Sequence, residues 1–596
     1  MKRLLLVVGV LLLAVTVSGR SMAADAYGAW KDGLPSAWAV GPACDPWVDY
    51  NCAPPKVSPM AVKSMERRGN CDPYLDYRCL DAYLGDDFFT RFYRYYQLEW
   101  GKAVPPADPH APPSSRPEAF APPTPQSSPP MPYTEWPYGG TENIGKTLPN
   151  SIDSPLMVAL GNTALGKTMA DAHIQVYGWV APAANLSTNT TKPGGNAPAA
   201  YDYTPNTVQL DQAVAYVERL ADTVQNDHFD WGFRFSVLYG VDYRYTTAYG
   251  LMSYQLLNHN QVNGIDFPMV YTDLYFPVLQ GMDVRIGRFI SIPDIEAQLA
   301  PNNYTYVHSL TYTFDNYTNT GLEVTTAITK NWILQLGLTV GSDTMPWNAG
   351  ATLANPLPGN PLYPGARIPK DPGAVPTGTF GIRWTSDDGR DDLNFVMDAW
   401  NGGQWGYNNL QWVGLTYYHK LSDYWHIAFE TWNIHENGVP NLNNAAAAAI
   451  IAGGGTPFGP HTPFNGPNAA VCGGPGAWNA AAGAAVIIPG SPLTCTSDTQ
   501  TFLVYLNYSP NKLNNISLRA EYFNDPNGQR TGVPTAYTEG ALSWQHWLSP
   551  QIEFRPEIAY YRSINNAAFN SNGAEATVFP NKNWAVVAAS DVIIHF

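Results

Sequence analysis

The sequence predicts an all-β protein: a transmembrane antiparallel β-barrel of about 16 strands, with 14 or 18 as the neighbouring even counts. The barrel follows an N-terminal Cys-containing extension and a Pro-rich linker. Three observations carry this reading: side-chain alternation with period two, segments long enough to cross a bilayer, and connections that alternate short and long.

The alternation is clearest in "FDWGFRFSVLYGVDYRY". Phe229, Trp231, Phe233, Phe235, Val237, Tyr239, Val241, Tyr243 and Tyr245 share one face, and every charge falls on the other. Successive strand side chains point to opposite faces, so this pattern makes one face apolar and the other polar. It recurs in "NISLRAEYFND", "PQIEFRPEIAYY", "DDLNFVMDAW" and "GTFGIRWTSD". In a sandwich the apolar face would meet a second sheet. In an outer-membrane barrel it meets lipid, while the polar face lines a wet interior.

Segment length favours the barrel. The candidate strands lie near 172–181, 207–219, 229–242, 268–276, 281–291, 319–329, 331–342, 376–386, 391–400, 408–419, 423–434, 499–509, 514–524, 536–547, 551–562 and 583–596. Most exceed the usual five or six residues and suit a tilted crossing of about ten. Short connections near Lys330, Asp388, Lys420, Pro510 and Pro550 alternate with long ones at 343–375, 436–498, 525–535 and 563–582, and a shorter one at 401–406. Short turns on one rim and long loops on the other is the outer-membrane arrangement. Trp332, Trp425 and Trp547 each lie beside a short turn, as an interfacial girdle requires. Counting "VHSLTYTFDN" as a strand would give an odd number and invert every earlier loop, so residues 292–318 are read as a loop.

The start of the chain, "MKRLLLVVGVLLLAVTVSGRSMAADAYG", combines two basic residues, a short apolar run and small residues at a cleavage position. It is read as a signal peptide over 1–24, so the mature protein is expected to be exported. Loss of Lys2, Arg3 and Arg20 moves the formal charge from −16 to −19. An acidic product lacks the basic footprint of a nucleic-acid binder. No later apolar stretch is long enough for a spanning helix, so any span must use strands closed into a barrel.

Residues 25–102 form a Cys-bearing unit in which "CDPWVDYNC" (Cys44 to Cys52) is repeated as "CDPYLDYRC" (Cys71 to Cys79). Paired cysteines in an exported chain point to two disulfides, of which pairing within each repeat is the simplest of three connectivities. A metal site built from Asp45, Asp49, Asp72 and Asp76 is the sharper alternative, but the spacing matches no calcium loop, and no metal or other cofactor is expected. "LDAYLGDDFFTRFYRYYQLEW" then places Phe88, Phe89, Phe92, Tyr93, Tyr96 and Trp100 at mostly helical spacing, read as a packing face, with docking of a partner as the alternative. Residues 103–150 are a Pro-rich linker that favours extended conformations and buries no core. The barrel is assigned to 151–596.

"VRIGRFISIPDIEAQLAPNNY", "TYTFDNYTNTGLEVTTAITKNWILQLGLTVG", "LRAEYFNDPNGQRTG", "EFRPEIAYYRS" and the aromatic-terminated last segment, taken in order, resemble the β-barrel porin-2 (OmpL-like) family of Gram-negative outer membranes. The resemblance covers about 170–596. It implies a channel in the outer membrane for small hydrophilic solutes or ions and an association into trimers; the N-terminal extension, which the resemblance does not cover, is expected in the periplasm. By fold-level analogy with general porins, residues 292–318 fold inward and narrow the channel.

A porin performs no reaction; its chemistry is a constriction whose charges set size and ion preference. The inward-facing candidates are Arg234, Asp242, Arg244, Asp283, Arg285, Glu323, Asp398, Arg519, Glu521, Glu553, Arg555 and Glu557, with Asp294 and Glu296 on the inward loop. Most should pair across the interior and keep the wall hydrated. Arg288 breaks the alternation by falling on the apolar face, which points to a position above the lipid band or to a bulge. Cys472 and Cys495, in the longest loop, are expected to form a disulfide. An enzyme is not expected: His419, His426 and His435 cluster, but no G-x-S-x-G elbow accompanies them, and no C-x-x-C-H haem site is present. The alternative to a porin is a structural outer-membrane anchor, in which residues 27–140 hold cell wall or a periplasmic protein.

Overall fold

The computed structural model describes residues 84–99 and 154–596, apart from short stretches at 224–226, 258, 260, 293–294, 302, 355–366, 372, 388–389, 405–408, 423, 453–468, 512–513, 550–551 and 573–577. The signal peptide, the Cys44–Cys52 and Cys71–Cys79 repeats and the Pro-rich linker lie outside the described residues.

Sixteen strands among the described residues close one antiparallel ring, and a seventeenth strand of three residues, Gly264–Asp266, adds to the same sheet beside the end of Asp230–Gly240. The sixteen are β1 (Gln175–Ser187), β2 (Val208–Arg219), β3 (Asp230–Gly240), β4 (Val270–Phe276), β5 (Met282–Ile290) and β6 (Thr318–Ala327). β7 (Trp332–Ser342), β8 (Thr377–Thr385), β9 (Asp391–Trp400), β10 (Trp412–Lys420) and β11 (Trp425–Pro440) follow. β12 (Thr494–Asn511), β13 (Asn514–Asp525), β14 (Thr535–Ser549), β15 (Ile552–Ser563) and β16 (Trp584–His595) complete the ring. Each strand pairs with its neighbours in sequence, and β16 pairs with β1, for example Val180 with Ile594. Closure leaves no open edge, the condition for strands in lipid.

β2 and β3, β4 and β5, β6 and β7, β8 and β9, β10 and β11, β12 and β13, and β14 and β15 follow one another at one rim, the tight one, across short gaps in sequence. The other rim carries 188–207, 241–269, 291–317, 343–376, 401–411, 441–493, 526–534 and 564–583. With an even number of strands, both ends of the barrel sequence emerge at the tight rim. Residues 291–317 form a loop, as the strand count demands.

Alternation positions the outer face. Leu336, Phe502, Leu518, Leu542 and Ile558 stand outward and exposed, while Gln335, Leu503, Arg519, Ala541 and Glu557 are buried inside. Trp332 and Trp425 open β7 and β11 beside tight turns and are exposed, as a girdle requires. The side chain of Trp547 lies outside the described residues. In β16, Trp584 and Ile594 are exposed, whereas Asp591 is buried.

Several strands differ from expectation in length, and for β3, β11 and β12 the difference traces to backbone. β11 and β12 run on to Pro440 and back to Thr494, because the ladder continues beyond the apolar band through polar outward residues such as His435 and Asp498. β3 ends at Gly240 (φ +149) instead of 242, and the chain turns into a short helix, Tyr243–Thr246. Val241, Tyr243 and Tyr245 are therefore buried and do not face lipid.

Two short helices precede β1: α2 (Pro155–Leu160) and α3 (Ala164–Asp171). Helix α1 (Phe88–Glu99) packs on α2. Its buried anchor is Arg91, which donates from Nε to Val158 O (2.9 Å) and from Nη1 to Gly85 O (3.0 Å). Of the expected aromatic packing face, the side chains of Tyr96 and Trp100 lie outside the described residues, and the other four divide. Phe88 and Phe92 stack and are half-buried, but Phe89 and Tyr93 stand in solvent, because an arginine able to satisfy helix-end carbonyls takes the contact side. Ser154 caps α2 and donates to Val176 O (2.7 Å), which ties this unit to β1.

Candidate functional site: the barrel interior

The interior is built by inward side chains of the wall meeting the segment 291–317, which leaves the wall between β5 and β6 and is bonded to strands on the far side. Backbone N–H groups of the segment donate to wall carboxylates: Ile295 to Glu430 on β11 (2.9 Å), Val307 to Glu557 on β15 (3.0 Å) and Leu310 to Glu521 on β13 (2.8 Å). Thr311 also bonds Glu521 through its N–H. Wall arginines take the segment's carbonyls: Arg519 that of Val307 (2.5 Å) and Arg555 that of Ala300 (2.7 Å). Gln212 on β2 completes the span, accepting from Ala300 N (2.9 Å) and donating to Gln298 O (3.0 Å). An irregular segment away from water needs such partners, because each unpaired backbone group costs about as much as a lost hydrogen bond.

Arg519 is the hub. Its guanidinium, fully buried, pairs with Glu539 (2.8 Å) and Glu557 (3.1 Å) and lies 3.6 Å from Glu296 of the inward segment. Glu296 accepts from Ser309 N (3.0 Å), Ser309 Oγ (2.9 Å) and the Tyr505 hydroxyl. Burial pushes its carboxyl above the usual range, and the Arg519 charge opposes that. His308 donates from Nε2 to Ala297 O (2.6 Å) and stacks on Tyr201; burial holds its imidazole neutral. Arg555 pairs with Asp591 (2.5 Å) and lies 3.6 Å from Glu553, which also accepts from Gln545 (2.6 Å). Asp398 on β9 accepts from Asn319 (2.8 Å), Thr379 and Asn316, so the segment's last residues are tied as well.

A second row crosses β4 to β6. Arg285 forms a two-bond pair with Asp273 (2.9 and 3.1 Å), stacks over Tyr271 at 4.1 Å and stands opposite Glu323 in register. Asp283 stands one inward position below it, opposite Tyr275 and Thr325. Arg234 pairs with Glu218 across β3 and β2 (2.7 Å). Ion pairs therefore hold Arg234, Arg285, Arg519, Glu553, Arg555 and Glu557, mostly with acids on adjacent strands and not across the interior, whereas Asp398 and Glu521 accept from uncharged donors.

Three expectations about individual residues change. Asp242 and Arg244 are buried but sit past the end of β3, in the 241–269 loop, because Gly240 ends the strand; Arg244 donates to Gln261 O (2.9 Å). Arg288 is buried, with a two-bond pair to Asp266 (3.1 Å each) and a bond to Phe267 O (2.7 Å). The adjacent Gly287, at φ +141, breaks the alternation, so Arg288 clasps the 241–269 loop and avoids lipid. Cys472 and Cys495 are disulfide-bonded, but Cys495 belongs to β12, paired with Val439. Asp294 lies outside the described residues. His419, His426 and His435 do not converge: His419 pairs with Asp391, His435 with Asp498, and His426 meets the Tyr304 hydroxyl.

Sequence reasoning missed Glu218, Asp273, Glu430 and Glu539. Glu539 was within reach: "TEGALSW" puts it on one face with Ala541 and Ser543. Glu218, Asp273 and Glu430 lie in strands whose inner faces are aromatic enough to mask the alternation.

Taken together, the closed sixteen-strand sheet, the apolar outer band and the charged interior crossed by a long loop define a porin-like outer-membrane barrel. Residues 173–596 match the family described as "Putative beta-barrel porin-2, OmpL-like", and the chain belongs to that family. No curated protein sequence matches it. Solved structures similar to the barrel include an anion-selective porin from Comamonas acidovorans (8% identity, TM-score 0.38, 71% of this chain and 99% of that one). The outer membrane channel DcaP of Acinetobacter baumannii (8%, TM-score 0.38, 71% and 97%) and Salmonella typhi OmpF in complex with daunomycin (8%, 0.38, 71% and 97%) are others.

Proposed function

We propose that the protein is a diffusion porin for small hydrophilic solutes, with a preference for cations, whose passage is narrowed by residues 291–317. The observation that supports this best is the bonding of that segment to Glu430, Glu521, Glu557, Arg519 and Arg555 across the interior. Cation preference follows from charge. Twenty Asp and Glu of the barrel and its loops are buried, against eight Arg and no Lys, among the described residues. A ring of acidic groups in a low-dielectric wall favours cations and disfavours anions. The N-terminal extension belongs to the periplasmic side, since β1 begins at the tight rim. Trimers are the expected assembly by family resemblance.

Conductance of the full chain in a planar bilayer tests this: ohmic steps with a potassium-over-chloride preference are expected. A closed barrel without current, even after deletion of residues 27–140, would overturn it. The second reading, a structural anchor, is favoured by the seating of α1 on α2, which fastens the extension to the barrel; that failure of conduction would leave it standing.

A further inference from the structure

Three carboxylates meet where β2, the end of β3, the loop 188–207 and the inward segment converge. Gln209 donates through one nitrogen to both Tyr201 O and Asp211 Oδ1, so the residue preceding Asp202 is held beside Asp211. Asp242 N donates to Asp211 O (3.1 Å), which brings the third acid alongside. Tyr306 of the inward segment closes the group, its hydroxyl donating to Tyr201 O (3.1 Å). All three acids are at most 2% exposed.

These acids lack cations. Both carboxylate oxygens of Asp202, both of Asp242 and Oδ2 of Asp211 have no partner at hydrogen-bond distance, although the Gln212 amide faces Asp242 and the Tyr306 hydroxyl faces Asp211. Gln298, on the inward segment at the same junction, has an unpartnered Oε1, although its backbone carbonyl takes the Tyr201 hydroxyl (2.6 Å) and Gln212 Nε2 (3.0 Å). The neighbouring guanidinium groups are committed elsewhere: Arg555 to Asp591, Ala300 O and Asn303 O, and Arg519 to Glu539 and Glu557. The other acids nearby, Asp591 and Glu557, add negative charge. Burial, and after it the neighbouring carboxylates Glu557 and Asp211, hold the Asp202 and Asp242 carboxyls above their usual range. An isolated buried carboxylate is costly, so such a group either keeps its proton or takes a cation.

We infer that Asp202, Asp211 and Asp242, with Gln298 Oε1, form a subsite for the ammonium group of a cationic solute. Five carboxylate oxygens and an amide oxygen offer only acceptors, and an ammonium group offers only donors. No set of three or more His, Cys, Asp or Glu side chains among the described residues converges closely enough to chelate a metal ion, whereas an ammonium nitrogen bonds oxygens at the longer hydrogen-bond distance. The subsite rests on the porin reading for its role: it lies at the junction of the inward segment with the long-loop rim, where a solute would be captured before the narrowing.

The test uses the full-length protein in detergent, with sodium chloride replaced at constant ionic strength by methylammonium chloride or by tetramethylammonium chloride, which has no N–H donor. Thermal unfolding of the wild type should rise saturably with methylammonium and not with tetramethylammonium. Asp202→Asn/Asp242→Asn should weaken the apparent affinity at least tenfold, and Asp242→Asn alone gives the same readout should the double variant fail to assemble. No response in the wild type, or an equal response in the variants, overturns the subsite and means that the carboxyls simply keep their protons. In bilayers, loss of wild-type ionic current would overturn the porin reading instead, leaving the thermal result to decide the subsite by itself.

Discussion

Phe596 and Gly178 close the barrel by exchanging both backbone hydrogen bonds (Gly178 N to Phe596 O, 3.0 Å; Phe596 N to Gly178 O, 2.9 Å). The Phe596 ring covers the glycine: a Cβ at Gly178 would stand 2.7 Å from ring Cζ and 2.1 Å from Val214 O. The last residue of the chain thus packs on the first strand at the tight rim, and the glycine leaves room for it.

Gly178→Leu should therefore weaken closure. Overpacking of this kind costs about 1–3 kcal/mol. The expected outcome is a lower unfolding temperature and a smaller fraction of compact, heat-modifiable barrel on gels. Phe596→Ala should destabilise less, since it removes packing without a clash, and an unchanged Gly178→Leu barrel would show that the seam tolerates a side chain there.

Arg519→Gln should loosen the inward segment. It removes the bonds to Val307 O and Thr305 and leaves Glu539 and Glu557 without their cation. Breaking a buried pair by removing one partner costs about 3–5 kcal/mol. Lower thermal stability together with larger or noisier single-channel conductance is expected; conductance unchanged in a stable barrel would remove Arg519 as the segment's fastener.

Ion preference should depend on pH through Glu296. Its carboxyl is pushed up by burial, so it gains charge above the usual carboxylate range. The potassium-to-chloride permeability ratio should rise as pH rises through that raised range, and Glu296→Gln should flatten the rise. Tyr505, Ser309 and Arg519, which touch this carboxylate, remain in the variant. Asp294→Asn is expected to lower cation preference in the same direction.

Asp343, in the long-loop rim, makes a stability prediction. Burial raises its carboxyl to about 7, against donors from Thr318 N and Oγ1 (2.9 Å each) and the Arg288 charge. The folded state then binds more protons than the unfolded one between about pH 4 and 7. Stability should fall as pH rises through that window, by at most about 1.4 kcal/mol per pH unit, and level off above it. Asp343→Asn should remove this part of the slope in pH-dependent unfolding.

Reduction of Cys472–Cys495 should leave the barrel intact, because the sheet around β12 is held by its ladder to β11. The loop 441–493 should become more open to limited proteolysis, and Cys472→Ser should reproduce this without reductant.

The strand pattern was legible because it is local. Period-two faces in "FDWGFRFSVLYG" and tight turns at Lys330 or Lys420 depend only on residues a few positions apart, so all sixteen strands and the 291–317 loop could be placed from spacing. Charge pairing was half legible. Arg519 and Glu521 declared their face, but Glu539, the acid that Arg519 pairs with, entered only once register brought β13 against β14. Exceptions to alternation were not legible where a single glycine changed the backbone: Gly240 took Asp242 and Arg244 off the wall, and Gly287 let Arg288 reach Asp266.

By itself the sequence determined the lipid and inward faces wherever alternation runs unbroken, an even strand count of about sixteen, and that the last strand ends on an aromatic. These follow from the two-residue repeat of a strand and from the evenness that closure imposes. Tertiary structure decided what the interior does with its charges. Glu296 meets Arg519 across more than two hundred residues, and the inward segment finds its wall partners on β2, β9, β11, β13 and β15. Such contacts depend on where a flexible segment crosses a closed ring, and no local spacing encodes that crossing.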